Sequence, residues 1–239
     1  MRYLLILLFV FLKADVYIAS AANLTYVMPE IIKEFHKKYP SVSVKLVLSS
    51  SGKLTAQIMH SAPYDIFLSA NMKYPLVLYK KGFAKEKPVV YGVGKIIIFG
   101  KKSLDLLKAN CIAITNPKTA PYGRAAIEFL RNSKLYDKVK SKLVFAESVS
   151  GVIPYVANVC DVGIVSKSML FSKNIKNLGK IYYKEVSENL HSPIKQGIVL
   201  LSNKEEAKKF YEFFLSKKAK EILKKYGYGV DFESKSKAN

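Results

Sequence analysis

Apolar and polar positions along this chain follow two rhythms. Short, β-branched apolar runs bounded by small polar residues read as buried strands. Longer stretches with apolar residues three and four apart read as helices. The strands predicted this way are Asp15–Ser20, Val42–Leu48, Asp65–Ser69, Cys111–Thr115, Lys142–Phe145 and Asp161–Ser166. The helices between them are Leu24–Lys38, Lys53–His60, Met72–Lys81, Gly123–Arg131 and Gly151–Asn158, with a short turn of helix at Leu104–Lys108. The first helix carries Met28, Ile31, Ile32 and Phe35 on one face and stops at Tyr39-Pro40. Pro29 falls inside it and is expected to kink its start. Helices Lys204–Leu215 and Lys218–Lys225 close the chain, and the polar tail Glu233–Asn239 reads as frayed.

Strands that alternate with helices imply an α/β fold with parallel-rich sheets covered on both faces. Two long extended runs, Val89–Lys101 and Ile194–Ser202, bracket the middle of the chain. A chain that leaves one lobe and returns to it needs two such connections. The expected organisation is therefore two lobes: residues 15–88 with 203–239 form the first, and 89–202 form the second together with both crossing strands. Ligands in such folds sit in the cleft at the C-terminal ends of strands.

Four strand-to-helix junctions end at that cleft: DVYIAS-AAN-LTYVM, VKLVL-SSSGK-LTAQI, CIAI-TNPKTAPYG-RAAIEFL and KLVFA-ESVSG-VIPYVANV. Each puts backbone N–H groups and short polar side chains at a helix N-terminus, the positive end of the helix dipole. Four such ends aimed at one point would hold a small anion without any charged side chain.

Composition adds to this picture in three places. The chain has 239 residues, half of them apolar and 12% aromatic, which is enough for a substantial core. Met1-Arg2, the apolar stretch Tyr3–Leu12 and the small residue Ala14 read as a secretory leader over residues 1–14, although Lys13 is a poor neighbour for a cleavage site. The net charge of +21 is spread along helix surfaces as scattered lysines. That is a dispersed field which draws in anions, not the clustered stripe of a nucleic-acid protein. Cys111 and Cys160 each open a predicted strand. A disulfide between neighbouring strands and two buried thiols are both open readings.

Chemical motifs are scarce. There is no G-x-x-x-x-G-K-[ST], H-E-x-x-H, G-x-S-x-G or C-x-x-C, and His36, His60 and His191 stand apart from one another. No serine at the junctions has a sequence-evident base, which argues against an enzyme.

The runs IASAANLTYVMPEI, SSSGKLTAQI, APYDIFLSAN, NPKTAPYGRAA, DVGIVSKS and PIKQGIVLL together resemble the periplasmic molybdate-binding proteins of bacterial ABC importers, over nearly the whole chain beyond the leader. The resemblance implies a two-lobed type II periplasmic-binding-protein fold that closes on tetrahedral molybdate or tungstate. It implies no cofactor, no catalytic residue and no cationic metal site, since molybdenum is bound as an oxyanion. The implied partner is the membrane permease of the importer, and the protein is expected to be periplasmic and monomeric, with no nucleic-acid role.

Carried over by position, the ligand-binding residues would be Asn23 and Ser51 from the first lobe and Tyr122 and Val149 from the second. Ala22 would add a backbone N–H, and Ser166 is a further position of the set. The chain follows the branch of the family with Asn at position 23 and Tyr at position 122. It departs from the branch that uses a Tyr hydroxyl at position 166, which leaves Ser166 short for direct contact.

The residues themselves fit these roles. Asn23 sits where an N-cap belongs, and its amide serves a cap, an oxyanion or both. Ser51 precedes Gly52, which lets backbone approach closely. Tyr122 offers its N–H, its hydroxyl or both, and Val149 offers only its N–H. Lys53 and Arg124 are expected to face solvent. Glu147 is expected to point away from the site, because a carboxylate beside a buried dianion costs several kcal/mol. Sulfate, or another oxyanion, and an enzyme acting on a phosphate or sulfate ester are the competing functions.

Overall fold

The computed structural model describes residues 14–230. The leader expected over residues 1–14 therefore lies outside the described residues except for Ala14, and so does the tail Glu233–Asn239. In chain order the elements are β1 (Ala14–Ala21), α1 (Met28–Lys38), β2 (Val42–Ser49), α2 (Ser51–Met59), β3 (Ile66–Ser69), α3 (Lys73–Lys80) and β4 (Val89–Gly94). There follow β5 (Ile96–Gly100), β6 (Ile112–Thr115), α4 (Pro121–Asn132), α5 (Tyr136–Val139), β7 (Leu143–Ala146), α6 (Val152–Asn158), β8 (Val162–Ser166), α7 (Lys173–Lys176) and β9 (Tyr182–Glu185). The last three are β10 (Ile194–Leu200), α8 (Glu205–Leu215) and α9 (Lys217–Lys225).

Among the described residues ten strands make two sheets, ordered β2-β1-β3-β10-β4 and β7-β6-β8-β5-β9. Each keeps a parallel trio, β2-β1-β3 or β7-β6-β8, as the strand–helix alternation predicts. Each also contains antiparallel pairs: β10 runs against β3 and β4, and β5 runs against β8 and β9. The extended run Val89–Lys101 is divided at Lys95, with β4 in the first sheet and β5 in the second. The run Ile194–Ser202 behaves differently, because β10 lies wholly in the first sheet and the chain recrosses before it, between Glu185 and Ile194.

Period-two alternation gives the first sheet a core on each face. Ile18 and Leu68 join Phe35, Phe210, Phe214 and Ile222 under α1, α8 and α9. Their neighbours Ala19 and Phe67 point the other way, to Leu54, Ile58 and Leu78 of α2 and α3. Phe35 meets the Phe210 ring edge-on with centroids 4.9 Å apart, an arrangement the ring quadrupoles favour. In the second sheet β5 is buried along its whole length, paired on both sides, under Ala126, Phe129, Val152 and Val156 of α4 and α6. That core also takes in Ala21 and Ile194 from the first sheet and Ala70 just beyond β3, so the two lobes meet through apolar contact.

Four local expectations change. Pro29 occupies the first turn of α1, where its missing N–H costs nothing, so it starts the helix instead of kinking it. Residues Ala22–Leu24 form a separate 3-10 turn, and Asn23 is not the cap of α1. Leu104–Lys108 makes a turn rather than helix. The stretch after β8 holds a 3-10 turn (Lys167–Phe171), α7 and β9. Cys111 and Cys160 form a disulfide across 49 residues. Its half-cystines immediately precede β6 and lie just before β8, strands that pair in parallel with Ile112 beside Val162.

Candidate functional site

At the first junction β1 runs straight into the 3-10 turn, which buries Asn23 to 1% exposure. Its Nδ2 donates to Gln196 Oε1 and to Tyr228 Oη, both at 3.0 Å. Its backbone carbonyl accepts from Tyr228 Oη at 2.7 Å and from Ser168 Oγ at 2.8 Å. The amide is therefore spent on long-range contacts, because the helix it was expected to cap begins only at Met28. Ala22, on the same turn, is buried, and its carbonyl accepts from Thr25 Oγ1 at 2.6 Å.

At the second junction Ser50 caps α2 by accepting from Lys53 N–H. Ser51 is 1% exposed, and its Oγ accepts from Ala70 N–H at 3.0 Å. With that acceptor role filled, the Ser51 hydroxyl keeps its own proton for another oxygen. Gly52 N–H donates across the cleft to Thr119 O at 3.0 Å. A Cβ at position 52 would meet that same oxygen and Tyr74 Oη at 2.9 Å each, so the close approach needs glycine.

The third junction ends in α4, with Pro121 in its first turn and Tyr122 buried beside it. Tyr122 Oη accepts from Gln196 Nε2 at 2.6 Å. At the fourth junction Val149 is buried in the apolar cluster that also holds Ala21, Ala70 and Tyr122. Beside it Glu147 is 74% exposed on its side chain and pairs with Lys53 of α2 across the mouth of the cleft. Arg124 lies over the Tyr74 ring at 5.7 Å, a second cross-lobe contact at the rim.

Ser166, the last residue of β8, is buried, and its hydroxyl is 2.9 Å from Ser168 Oγ. Ser168 in turn donates to Asn23 O, so Ser166 reaches the first junction at one remove. The six expected positions thus fall into one connected region. Gln196 joins Asn23 to Tyr122, Ser168 joins Asn23 to Ser166, and Ala70 bonds Ser51 while packing in the cluster of Tyr122 and Val149.

Sequence reasoning missed the residues at the centre of this region. Gln196 on β10 and Tyr91 on β4 are fully buried, and Tyr228 nearly so. Tyr91 Oη donates to Gln196 Oε1 at 2.6 Å, with Ser69 O at 3.2 Å as its alternative acceptor. The signal was a lone Gln inside the apolar run IKQGIVLL, because an amide there is tolerated only when bonded. A Cβ on Gly94 would fall 2.2 Å from Tyr122 Oη, so the bare backbone of β4 makes room for the phenol.

Burial, chiefly, lifts the pKa of Tyr91, Tyr122 and Tyr228 above that of an ordinary phenol, and all three stay protonated donors at neutral pH. The buried polar side chains here (Asn23, Ser51, Ser69, Ser166, Ser168 and Gln196) are all uncharged. The buried carboxylate of Asp65 is remote from them in bonding: it accepts from Tyr17 N–H and pairs with Lys204. Among the described residues no group of His, Cys, Asp and Glu has the makings of a metal site. The arrangement offers an anion neutral donors and helix dipoles; Lys53 is half exposed, and Arg124 is partly buried with Nη2 shut off from solvent.

Comparison with known proteins places the family and the fold. Residues 16–229 match the family model of bacterial extracellular solute-binding proteins. The molybdate-binding protein ModA of Azotobacter vinelandii is 32% identical over 233 residues, covering 91% of this chain and 90% of that protein. Its counterpart from Rhodobacter capsulatus is 33% identical over 227 residues, covering 90% and 88%. The solved structure of the Azotobacter vinelandii periplasmic molybdate-binding protein superposes with a TM-score of 0.81 at 28% identity, covering 91% of this chain and 100% of that one.

Proposed function

The chain belongs to the bacterial extracellular solute-binding protein family, and we propose that it captures molybdate or tungstate outside the cytoplasm and hands it to an ABC importer. The observation that carries this reading is the charge-free donor set shared between two lobes. A fully ionised tetrahedral dianion needs donors only, and each donor from a helix N-terminus or a neutral side chain stabilises it without a buried counter-charge. The named function of the two relatives points to the same anion.

Asn23, Ser51, Tyr122 and Val149 are the proposed ligand contacts, with the Ala22 N–H beside them. Ser166 is assigned a supporting role through Ser168. The protein acts as a periplasmic, monomeric carrier. Binding holds the lobes closed, and the closed form docks on the permease. The dispersed lysines speed capture of anions.

Thermal unfolding of the purified protein with molybdate, tungstate, sulfate and phosphate tests this. Ligand at about 100 times its dissociation constant stabilises the fold by ~2.7 kcal/mol, a readily measured shift in midpoint. A shift with molybdate and tungstate alone is the expected result. A shift with sulfate alone would transfer the same mechanism to a smaller anion, and no shift with any of the four would remove the carrier reading.

A further inference from the structure

Asn23 Oδ1 is buried and meets no donor among the described residues. Every other polar atom around it is engaged. Asn23 Nδ2 gives its two hydrogens to Gln196 Oε1 and Tyr228 Oη, and Gln196 Nε2 donates to Tyr122 Oη. In this arrangement the amide atom of Asn23 left without a partner is an oxygen, the wrong polarity for an oxyanion.

The same atoms have a second hydrogen-bond solution, reached by turning both amides over. Gln196 Nε2 then donates to Asn23 Oδ1 and to Tyr91 Oη, which swings its proton to its alternative acceptor, Ser69 O, already 3.2 Å away. Tyr228 Oη donates to Asn23 Oδ1 while Ser168 Oγ continues to satisfy Asn23 O. Tyr122 Oη donates to Gln196 Oε1. Every acceptor named here then has a donor, and both hydrogens of Asn23 Nδ2 are released. Each hydroxyl supplies one proton and each amide two, and every one is placed except the pair on Asn23 Nδ2, which is left for the anion.

Resting on the oxyanion-binding reading, we propose that Gln196 is a positioning residue: when an oxyanion binds, the Asn23 and Gln196 amides invert together, and the inversion passes from Asn23 through Gln196 to Tyr91. Gln196 stands on the first sheet and its partner Tyr122 on a helix of the second lobe, so the inversion also changes which partner donates in the hydrogen bond between lobes. Tyr122 then serves the anion with its backbone N–H, since its hydroxyl proton is committed to Gln196.

The test is NMR of the wild-type protein, with the side-chain amides of Asn and Gln labelled and the tyrosine rings labelled at Cζ. Without added anion, the Gln196 amide protons should show cross-relaxation to the Tyr122 ring. With saturating molybdate that contact should move to the Tyr91 ring, and the Asn23 and Gln196 amide signals should shift together. An unmoved Gln196 contact in a molybdate-bound protein overturns the proposal. The variant Gln196→Met is close in volume and carries no amide. It should bind molybdate roughly tenfold more weakly, the loss of about one hydrogen bond. In it Tyr91 Cζ should no longer respond to molybdate, and a response as large as in the wild type would mean that lobe closure alone moves Tyr91, sinking the relay. If the wild type binds no oxyanion, the functional reading and the relay fall together; if it binds and the contact stays on Tyr122, only the relay falls.

Discussion

Two regions tie the lobes together, and they are built on opposite principles. Deep in the cleft the Gln196–Tyr122 bond and the Ser168–Asn23 bond cross between lobes with no formal charge and almost no solvent. At the mouth Lys53 and Glu147 cross between lobes as an ion pair with both side chains well exposed. A neutral hydrogen bond that is buried is expensive to break, because its groups are left unpaired in a dry site. An exposed ion pair is cheap to break, because water and salt replace each partner. The comparison teaches that the fixed geometry lies in the uncharged network, whereas the charged rim is free to open. A carrier that must both grip and release an anion gains from that division.

The largest blow to this contrast is alkaline pH. Tyr91, Tyr122 and Tyr228 have folded-state pKa values raised above the ordinary phenol value of 10.0, mainly by burial. A raised value means that the folded protein holds the proton more tightly. The associated stability is complete below pH 10 and is lost as pH rises from there through the folded values. Each phenol then costs up to ~1.4 kcal/mol per pH unit, so unfolding stability should fall steeply as pH rises above 10. Urea unfolding between pH 8 and pH 11 would check this, and a flat profile would show that these phenols are not confined as described.

Second in size is the Gln196→Met substitution. It withdraws a partner from Asn23 and from Tyr122 at once, and should lower unfolding stability by about 2–3 kcal/mol. Ser51→Ala comes next. It should weaken molybdate binding by about 1.5–3 kcal/mol, the loss of a hydrogen bond to a charged group, as read by titration calorimetry. Unchanged affinity would take Ser51 out of the site.

These two residues also mark how far the chain could be read before it was folded. The junction at Ser51 was legible as a strand-to-helix turn, because a strand, a Ser-Gly pair and an amphipathic helix follow one another within a few residues. The two-sheet plan was legible for the same reason: the apolar runs and the helix faces are local. For Asn23 the residues left a cap, an oxyanion contact or both open, and the cap falls away because a 3-10 turn intervenes before α1, which nothing in ANLTYVM signals. Gln196, Tyr91 and Tyr228 were illegible as a group. Their partners lie 22 to 205 residues away in the chain, and two of the three are tyrosines, which read as ordinary core aromatics. The antiparallel β5 and β10 were hidden by the same limit, since an apolar strand carries no record of its neighbour's direction.

The smallest expected effect is at the rim, and it sharpens the contrast most. Lys53→Ala and Glu147→Ala, alone and together, form a double-mutant cycle on a single exposed pair. The coupling energy should be about 0.2–1 kcal/mol and should shrink as salt rises, because the Debye length falls from about 10 Å at 0.1 M to about 3 Å at 1 M. Molybdate association measured by stopped flow should slow in Lys53→Ala, which removes a cation from the mouth, and quicken in Glu147→Ala, which removes an anion. The dissociation rate should change little in either, since the buried donors are untouched. A coupling above about 2 kcal/mol, or one indifferent to salt, would mean that the rim pair is desolvated and holds the lobes as firmly as the neutral network beneath it.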